Sequence, residues 1–160
     1  MITRIVAIGS LAALLAASPA TADDTFKARL TGEQEVPPVT DQGTTGKFEI
    51  QFNRDFTEGD YTLLVDSGVR VTQAHLHCAP AGVNGTIIIF LAGFQAKGWD
   101  VDGKWISNAT VTNANIVDAT TPCGKTLAEI AHAAANGNVY ANVHSVAKPA
   151  GVARGQLVGP

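Results

Sequence analysis

The feature that most constrains the fold is a series of short segments in which apolar and polar residues alternate. In the first of them, Phe26, Ala28 and Leu30 alternate with charged residues. Because successive side chains on a strand point to opposite faces, this pattern predicts a half-buried strand over residues 23–30. The other predicted strands of this class span residues 46–53, 61–65, 138–146 and 152–158. Turn residues separate the early segments at short intervals, so the sequence predicts an all-β, antiparallel sandwich or barrel.

Three further segments are assigned from their composition: a strand, a turn and an irregular stretch. Residues 86–91 are almost continuously apolar, which predicts a central strand buried on both faces. Asp66-Ser67-Gly68 has turn chemistry and predicts a break before a new strand that starts at Val69. Residues 93–108 carry no clear alternation, so we expect them to be irregular, and a short strand is predicted over residues 109–111.

One short helix is predicted, over residues 127–135. Thr126 and Glu129 have the spacing of a capping box, and Asn136-Gly137 is typical of a helix end. The apolar residues between them recur at helical spacing. His132 lies off that apolar stripe, so we expect its side chain to face solvent.

The first 22 residues have the pattern of a signal peptide. Arg4 precedes an apolar run over residues 5–17, and Ala20-Thr21-Ala22 is a small-x-small cleavage site. The run is shorter than the roughly 20 residues that a membrane-spanning helix needs. We therefore expect cleavage after Ala22 and a periplasmic or secreted protein, with no membrane attachment after cleavage.

The charge balance of the remaining chain excludes some partners. Removal of Arg4 leaves ten of the eleven Lys and Arg residues against fourteen Asp and Glu residues. Nucleic-acid binding requires a basic surface, so this mild acidity argues against nucleic acid and against electrostatic docking to a membrane. A protein partner is not identifiable from the sequence.

Three of the four histidines are candidate metal ligands. His75 and His77 are two residues apart on a predicted strand, so both rings point to the same face. His144 lies on the polar face of the predicted strand 138–146, together with Tyr140 and Asn142. If all three rings lie on the outer face of the sheet and meet there, they make a site for copper, with zinc as an alternative. Tyr140, Asn142 and Gln156 are candidates for groups that orient the imidazoles.

Two cysteines, Cys78 and Cys123, fit an oxidising compartment in which they form one disulfide. The alternative is that Cys78 is a thiolate ligand of a copper site beside His77. Strand parity counts against this alternative, because Cys78 and His77 face opposite ways. The segment of residues 33–38 contains Glu33, Glu35 and two prolines, and we interpret its carboxylates as solvated loop charges rather than ligands of a hard cation.

Several of these segments resemble the CHRD domain family, which is named for the repeats of chordin. The matching pieces are residues 30–38, 74–77, 81–85, 137–145, 149–151 and 154–157, in the family's order. The resemblance implies an exported protein with a Greek-key, immunoglobulin-like or superoxide-dismutase-like sandwich over residues 23–160. Cys78-Ala79 stands where the family usually has a Gly-rich pair, so the disulfide is interpreted as a local addition. The resemblance implies little about activity.

Three functions are compatible with these observations. The first is sequestration or delivery of copper through His75, His77 and His144. The second is a metal-free adhesion or protein-interaction module, in which the histidines are only a polar surface feature. The third is a copper enzyme similar to superoxide dismutase, although no acid–base group or nucleophile motif accompanies the histidines.

Overall fold

The computed structural model describes residues 24–159, and seven strands and one helix organise them. The elements are β1 (Thr25–Leu30), β2 (Thr45–Phe52), β3 (Glu58–Cys78), β4 (Thr86–Ala92), β5 (Trp99–Thr112), α1 (Leu127–Ala135), β6 (Val139–Ser145) and β7 (Ala153–Gln156). Every strand pair is antiparallel, so the predicted all-β fold with one short helix is confirmed. The predicted signal peptide lies outside the described residues. Within residues 24–159, no helix has the length and apolarity that a membrane crossing requires.

Strand β3 is 21 residues long and organises the sheet. Its first half pairs with β2 and β5, and its second half pairs with β6 and β4. The outer strands β1 and β7 meet through isolated bridges, Lys27 with Val158 and Thr31 with Arg154. The neighbours β3, β2, β1, β7 and β6 therefore form an almost closed circuit around the core.

The turn predicted at residues 66–68 is wrong, because β3 continues through it. Ser67 and Arg70 have φ values of 54° and 48°, and the register with β5 shifts on either side of Gly68. Two carboxylates of β5 stabilise this bulged backbone: Asp102 accepts from the N–H of Ser67, and Asp100 accepts from that of Arg70. Turn-forming residues thus produce bulges inside a strand rather than its end.

Two other strand predictions also need correction. Strand β4 is not central: it pairs with β3, and its other edge meets the chain at an isolated bridge from Ile89 to Ile116. Phe90 on this strand is 46% exposed. Most of β5, a 14-residue strand, lies in the segment 93–108 that was expected to be irregular, and its end includes the short strand predicted over residues 109–111. Its residues are mostly exposed or half-buried, so it carries little hydrophobic signal.

The apolar faces of the strands and of α1 form one core. The predicted stripe of the helix is buried, and His132 is exposed, as expected. The side chain of Thr126 caps the helix by accepting from the N–H of Glu129. The Glu129 carboxylate accepts from the N–H of Lys125, one residue before the cap. The helix packs beside β6, which leads directly into the candidate site.

Candidate metal centre

The structure brings His75, His77 and His144 together. Cross-strand pairing places His75 opposite Asn142 and His77 opposite Tyr140, so His144 is diagonal to His75. The ring centroids of His75 and His144 are 4.7 Å apart, and those of His75 and His77 are 5.5 Å apart. One possible ligand nitrogen from each ring lies within 4.8 Å of the other two. We call these three residues the histidine cluster.

The histidine cluster is buried, whereas the sequence predicted an outer, solvent-facing position. His75 is 1% exposed, His77 is 8% exposed and His144 is 5% exposed. Every residue of β6 is buried, on both faces of the strand. The polar face of β3 and β6 is therefore covered by other parts of the chain, and the prediction of an exposed face is wrong.

Backbone carbonyls fix two of the three imidazole rings. The Nδ1–H of His77 donates to the carbonyl of Gly85, and that of His144 donates to the carbonyl of Pro149, both at 3.0 Å. A carbonyl can only accept, so Nδ1 carries the proton in both rings and Nε2 has a free lone pair. The Nδ1–H of His75 then donates to Nε2 of His144, again at 3.0 Å.

The cluster contains bare nitrogen atoms. Nε2 of His75 and Nε2 of His77 are buried and have no hydrogen-bond partner among residues 24–159. A buried polar atom without a partner costs about 1–3 kcal/mol. The cluster therefore lowers the stability of the fold if it has no ligand. A metal ion could bind the lone pairs of these two nitrogens and so remove this cost.

Burial keeps the three imidazoles neutral. Desolvation, with the charges of His144 and then His77, lowers the pKa of His75 to about 3. Desolvation also lowers the pKa of His77 to about 4, although its hydrogen bond to the Gly85 carbonyl acts in the opposite direction. The pKa of His144 is lowered by burial as well. Neutral imidazole is the form that coordinates a metal ion.

The three residues predicted to orient the imidazoles have different positions. Tyr140 stacks on His77, with centroids 4.8 Å apart and an angle of 5° between the rings. Its hydroxyl accepts from the N–H of Gly85, whose carbonyl holds His77. Gln156 donates to the carbonyls of Ala79 and Gly137 and so acts on the surrounding loop.

The third of these residues, Asn142, leads to a buried carboxyl group. Its Nδ2 donates to Oε1 and Oε2 of Glu35 at 3.2 and 3.1 Å. Glu35 is 5% exposed, so the prediction that it is a solvated loop charge is wrong. The sequence does not distinguish Glu35 from Glu33. The contact that distinguishes them, between Glu35 and β6, depends on the long-range fold.

A second buried charge, Arg154 of β7, holds the loop of residues 79–85. Its guanidinium donates to the carbonyls of Pro80 and Val83 at 3.1 and 2.9 Å, and it lies 3.4 Å from the ring centroid of Tyr140. This loop supplies the carbonyl that orients His77. A lone arginine in the apolar run Val152-Ala153-Arg154 was the sequence signal that could have indicated a buried structural role.

The predicted disulfide is confirmed. Cys78 and Cys123 are bonded and close a loop with a sequence separation of 45. The bond anchors the end of β3, one residue after His77. It also removes Cys78 as a thiolate ligand, so the alternative copper site that uses this cysteine is excluded.

The histidine cluster therefore offers nitrogen ligands alone. Within the described residues, the group with mutually close ligand atoms contains three histidines and no carboxylate or thiolate. Imidazole suits copper, zinc, iron and nickel, whereas calcium and magnesium require oxygen ligands.

Comparison with known proteins identifies a family and nothing more specific. The family model of the CHRD domain matches residues 26–157, which includes the complete histidine cluster and all seven strands except the first residue of β1. Neither the curated proteins nor the solved structures contain a significant match to this chain.

Proposed function

The chain belongs to the CHRD domain family, and from its histidine cluster we propose that it is an exported protein that binds one copper ion through His75, His77 and His144. Copper is held for sequestration or for delivery to another protein. Zinc is the alternative ion for the same ligands.

The orientation of the imidazoles is the observation that carries this proposal. Backbone carbonyls take the Nδ1–H of His77 and of His144, which directs both Nε2 lone pairs away from those contacts. Metal-ligating histidines usually have this arrangement, because the second ring nitrogen is held by a backbone or carboxylate acceptor. The ligands also lie on paired strands, which are more rigid supports than loops.

Two further arguments favour copper in an exported protein. Divalent copper binds nitrogen ligands more tightly than the other divalent ions of the first transition series. The disulfide between Cys78 and Cys123 is typical of an oxidising compartment, where no reducing thiol pool keeps cysteines free. The signal-peptide pattern of residues 1–22 supports the same location.

The experiment is a competitive titration of metal-free protein with Cu²⁺ and with Zn²⁺. We expect one ion per chain, and we expect His75→Gln and His144→Gln to weaken copper binding by at least 100-fold. The matched control is His132→Gln, because His132 is exposed on α1 and lies outside the cluster. Electron paramagnetic resonance of the Cu²⁺ form should show hyperfine coupling to imidazole nitrogen.

The same titration separates the alternative functions. Absence of copper and zinc uptake, or unchanged affinity in both cluster variants, would contradict the proposal and favour a metal-free interaction module. If the copper-loaded protein removes superoxide and His144→Gln abolishes this activity, the protein has an enzymatic role. Copper binding without that activity supports sequestration or delivery.

A further inference from the structure

We propose that Glu35 provides a negative charge that offsets half of the charge of a divalent cation in the histidine cluster, and that its carboxyl group releases one proton to solvent when the cation enters. This inference rests on the proposed metal-binding function and adds to it a residue that controls charge and proton release.

The need for such a residue follows from the composition of the cluster. His75, His77 and His144 are neutral ligands, so a divalent ion brings two uncompensated positive charges into a buried site. An isolated buried charge is strongly unfavourable unless an opposite charge lies close to it. The cluster itself contains no carboxylate or thiolate among the described residues, so compensation has to come from the side chains around it.

Glu35 has the position that this role requires. Asn142, whose amide donates to both Glu35 oxygens, pairs with His75 across β3 and β6 and precedes His144 by two residues. Asn142 is therefore on the same face of the sheet as the cluster, and directly opposed residues have Cβ atoms about 5 Å apart. One amide group thus connects the carboxyl of Glu35 to the strand that carries a ligand.

The loop after β6 also contacts both His144 and the carboxyl group of Glu35. The carbonyl of Pro149 accepts from Nδ1–H of His144. Two residues later, Gly151 packs against Glu35 so closely that an added Cβ would lie 2.6 Å from both carboxyl oxygens. This loop therefore fixes a ligand and encloses the carboxyl group, which keeps the carboxyl away from water.

Burial of Glu35, opposed by its polar and charged neighbours, determines the protonation of its carboxyl group before a cation binds. Burial raises the pKa of Glu35 to about 7, although the Asn142 hydrogen bond and the charge of Arg154 on β7 act in the opposite direction. The three imidazoles on β3 and β6 are neutral and contribute no positive charge until a cation arrives. Glu33 is on the same turn and is exposed. Near pH 6 the carboxyl therefore starts protonated, and a nearby divalent ion favours its ionised form.

The proton balance of binding is simple under these conditions. The protein with a neutral Glu35 carboxyl takes up one divalent ion and gives one proton to the buffer, leaving Glu35 as a carboxylate. The histidines have no proton to release, because each neutral imidazole keeps its single N–H while its other ring nitrogen binds the ion. The expected stoichiometry near pH 6 is about one proton per ion.

The test is calorimetric titration with Zn²⁺, which has no redox chemistry, in two buffers that differ in enthalpy of ionisation. Near pH 6 we expect about one proton released by the unmodified protein and almost none by Glu35→Gln. Near pH 8.5, where Glu35 is already ionised, both proteins should release the same number of protons, while Glu35→Gln binds Zn²⁺ at least tenfold more weakly. The matched control is Glu33→Gln, which should behave like the unmodified protein at both pH values.

The outcomes distinguish this inference from the function on which it rests. Zn²⁺ binding with equal proton release in Glu35→Gln and the unmodified protein would overturn the role of Glu35 and leave the metal site intact. Absence of Zn²⁺ binding would overturn both. If Glu35→Gln does not fold, infrared difference spectra of the unmodified protein decide: loss of a protonated-carboxyl band on adding Zn²⁺ supports the proposal, and an unchanged band contradicts it.

Discussion

At the scale of single residues, strand parity was sufficient to place His75, His77 and His144 on the same face. It could not predict their burial, because the segments that cover this face come from distant parts of the chain. Pro149 and Gly85 provide the carbonyls that orient two of the rings, and a backbone acceptor has no signature in a sequence. The buried carboxyl of Glu35 was missed for the same reason.

A glycine next to that carboxyl gives a prediction at this scale. Gly151 has a φ of 141°, and a Cβ there would lie 2.6 Å from the Glu35 oxygens and 2.7 Å from Nδ2 of Asn142. We expect Gly151→Ala to lower the free energy of unfolding by about 2–4 kcal/mol, from backbone strain together with overpacking. Urea denaturation of the metal-free protein measures this change.

Gly82→Ala is the matched control, because Gly82 also has a positive φ, of 78°, but no atom lies within 4 Å of a Cβ at that position. It should cost about 1–2 kcal/mol from backbone strain alone. A Gly151→Ala variant that is no less stable than Gly82→Ala would contradict the close packing around Glu35.

At the scale of elements, local patterns identified most strands and the helix but not how they continue or pair. Asp66-Ser67-Gly68 has the composition of a turn, and only the carboxylates of β5 make it a bulge within β3. Apolarity on both faces suggested that β4 is central. Its outer edge is instead met by residues 116–117, through a bridge and a backbone hydrogen bond. Pairing partners of this kind are properties of the assembled sheet.

The loop of residues 79–85 gives a prediction at this scale. The Tyr140 hydroxyl accepts from the N–H of Gly85, and the carbonyl of the same residue orients His77. Tyr140→Phe keeps the ring that stacks on His77 and removes this hydrogen bond, so we expect copper affinity to fall about 3- to 30-fold. The measurement is competitive copper titration, with urea denaturation to record stability.

Tyr61→Phe provides the comparison for this variant. Tyr61 is also buried, and its hydroxyl donates to the carbonyl of Leu91 rather than to the loop. Both variants should lose about 1–2 kcal/mol of stability, since Tyr61→Phe removes a partner of a buried backbone group and Tyr140→Phe removes the partner of a half-buried one. A loss of copper affinity as large in Tyr61→Phe as in Tyr140→Phe would show that the loop has no specific effect on the site.

At the scale of the whole molecule, the all-β class follows from local alternation, whereas closure of the sheet depends on contacts between the ends of the chain. Lys27 of β1 meets Val158, and Thr31, the residue after β1, meets Arg154, more than 100 residues later in each case. The disulfide adds a further long-range connection, and the chain-entropy model gives its loop about 4 kcal/mol at most. The sequence indicated this disulfide because a chain with two cysteines allows only one internal pairing.

The burial of the histidine cluster makes the stability of the whole metal-free protein depend on pH. In the unfolded chain a histidine has a pKa of about 6.5, whereas the folded values are about 3 for His75 and about 4 for His77, with that of His144 also lowered. Below about pH 6.5 the unfolded chain therefore binds more protons, so stability is present above this pH and is lost as the pH falls. Glu35 acts oppositely between 4.5 and about 7, where its folded form holds a proton, and it offsets one of the histidines.

Urea denaturation of metal-free protein at several pH values between about 7 and 5 tests this dependence. We expect the free energy of unfolding to decrease steadily towards pH 5, and we expect His75→Gln to reduce the slope by about 1.4 kcal/mol per pH unit, the contribution of one proton. Glu35→Gln should make the slope steeper, because the offsetting proton is lost. Equal free energies of unfolding at pH 5 and pH 7 would mean that protons reach the cluster in the folded protein. Solvent would then also reach any ion that the cluster binds.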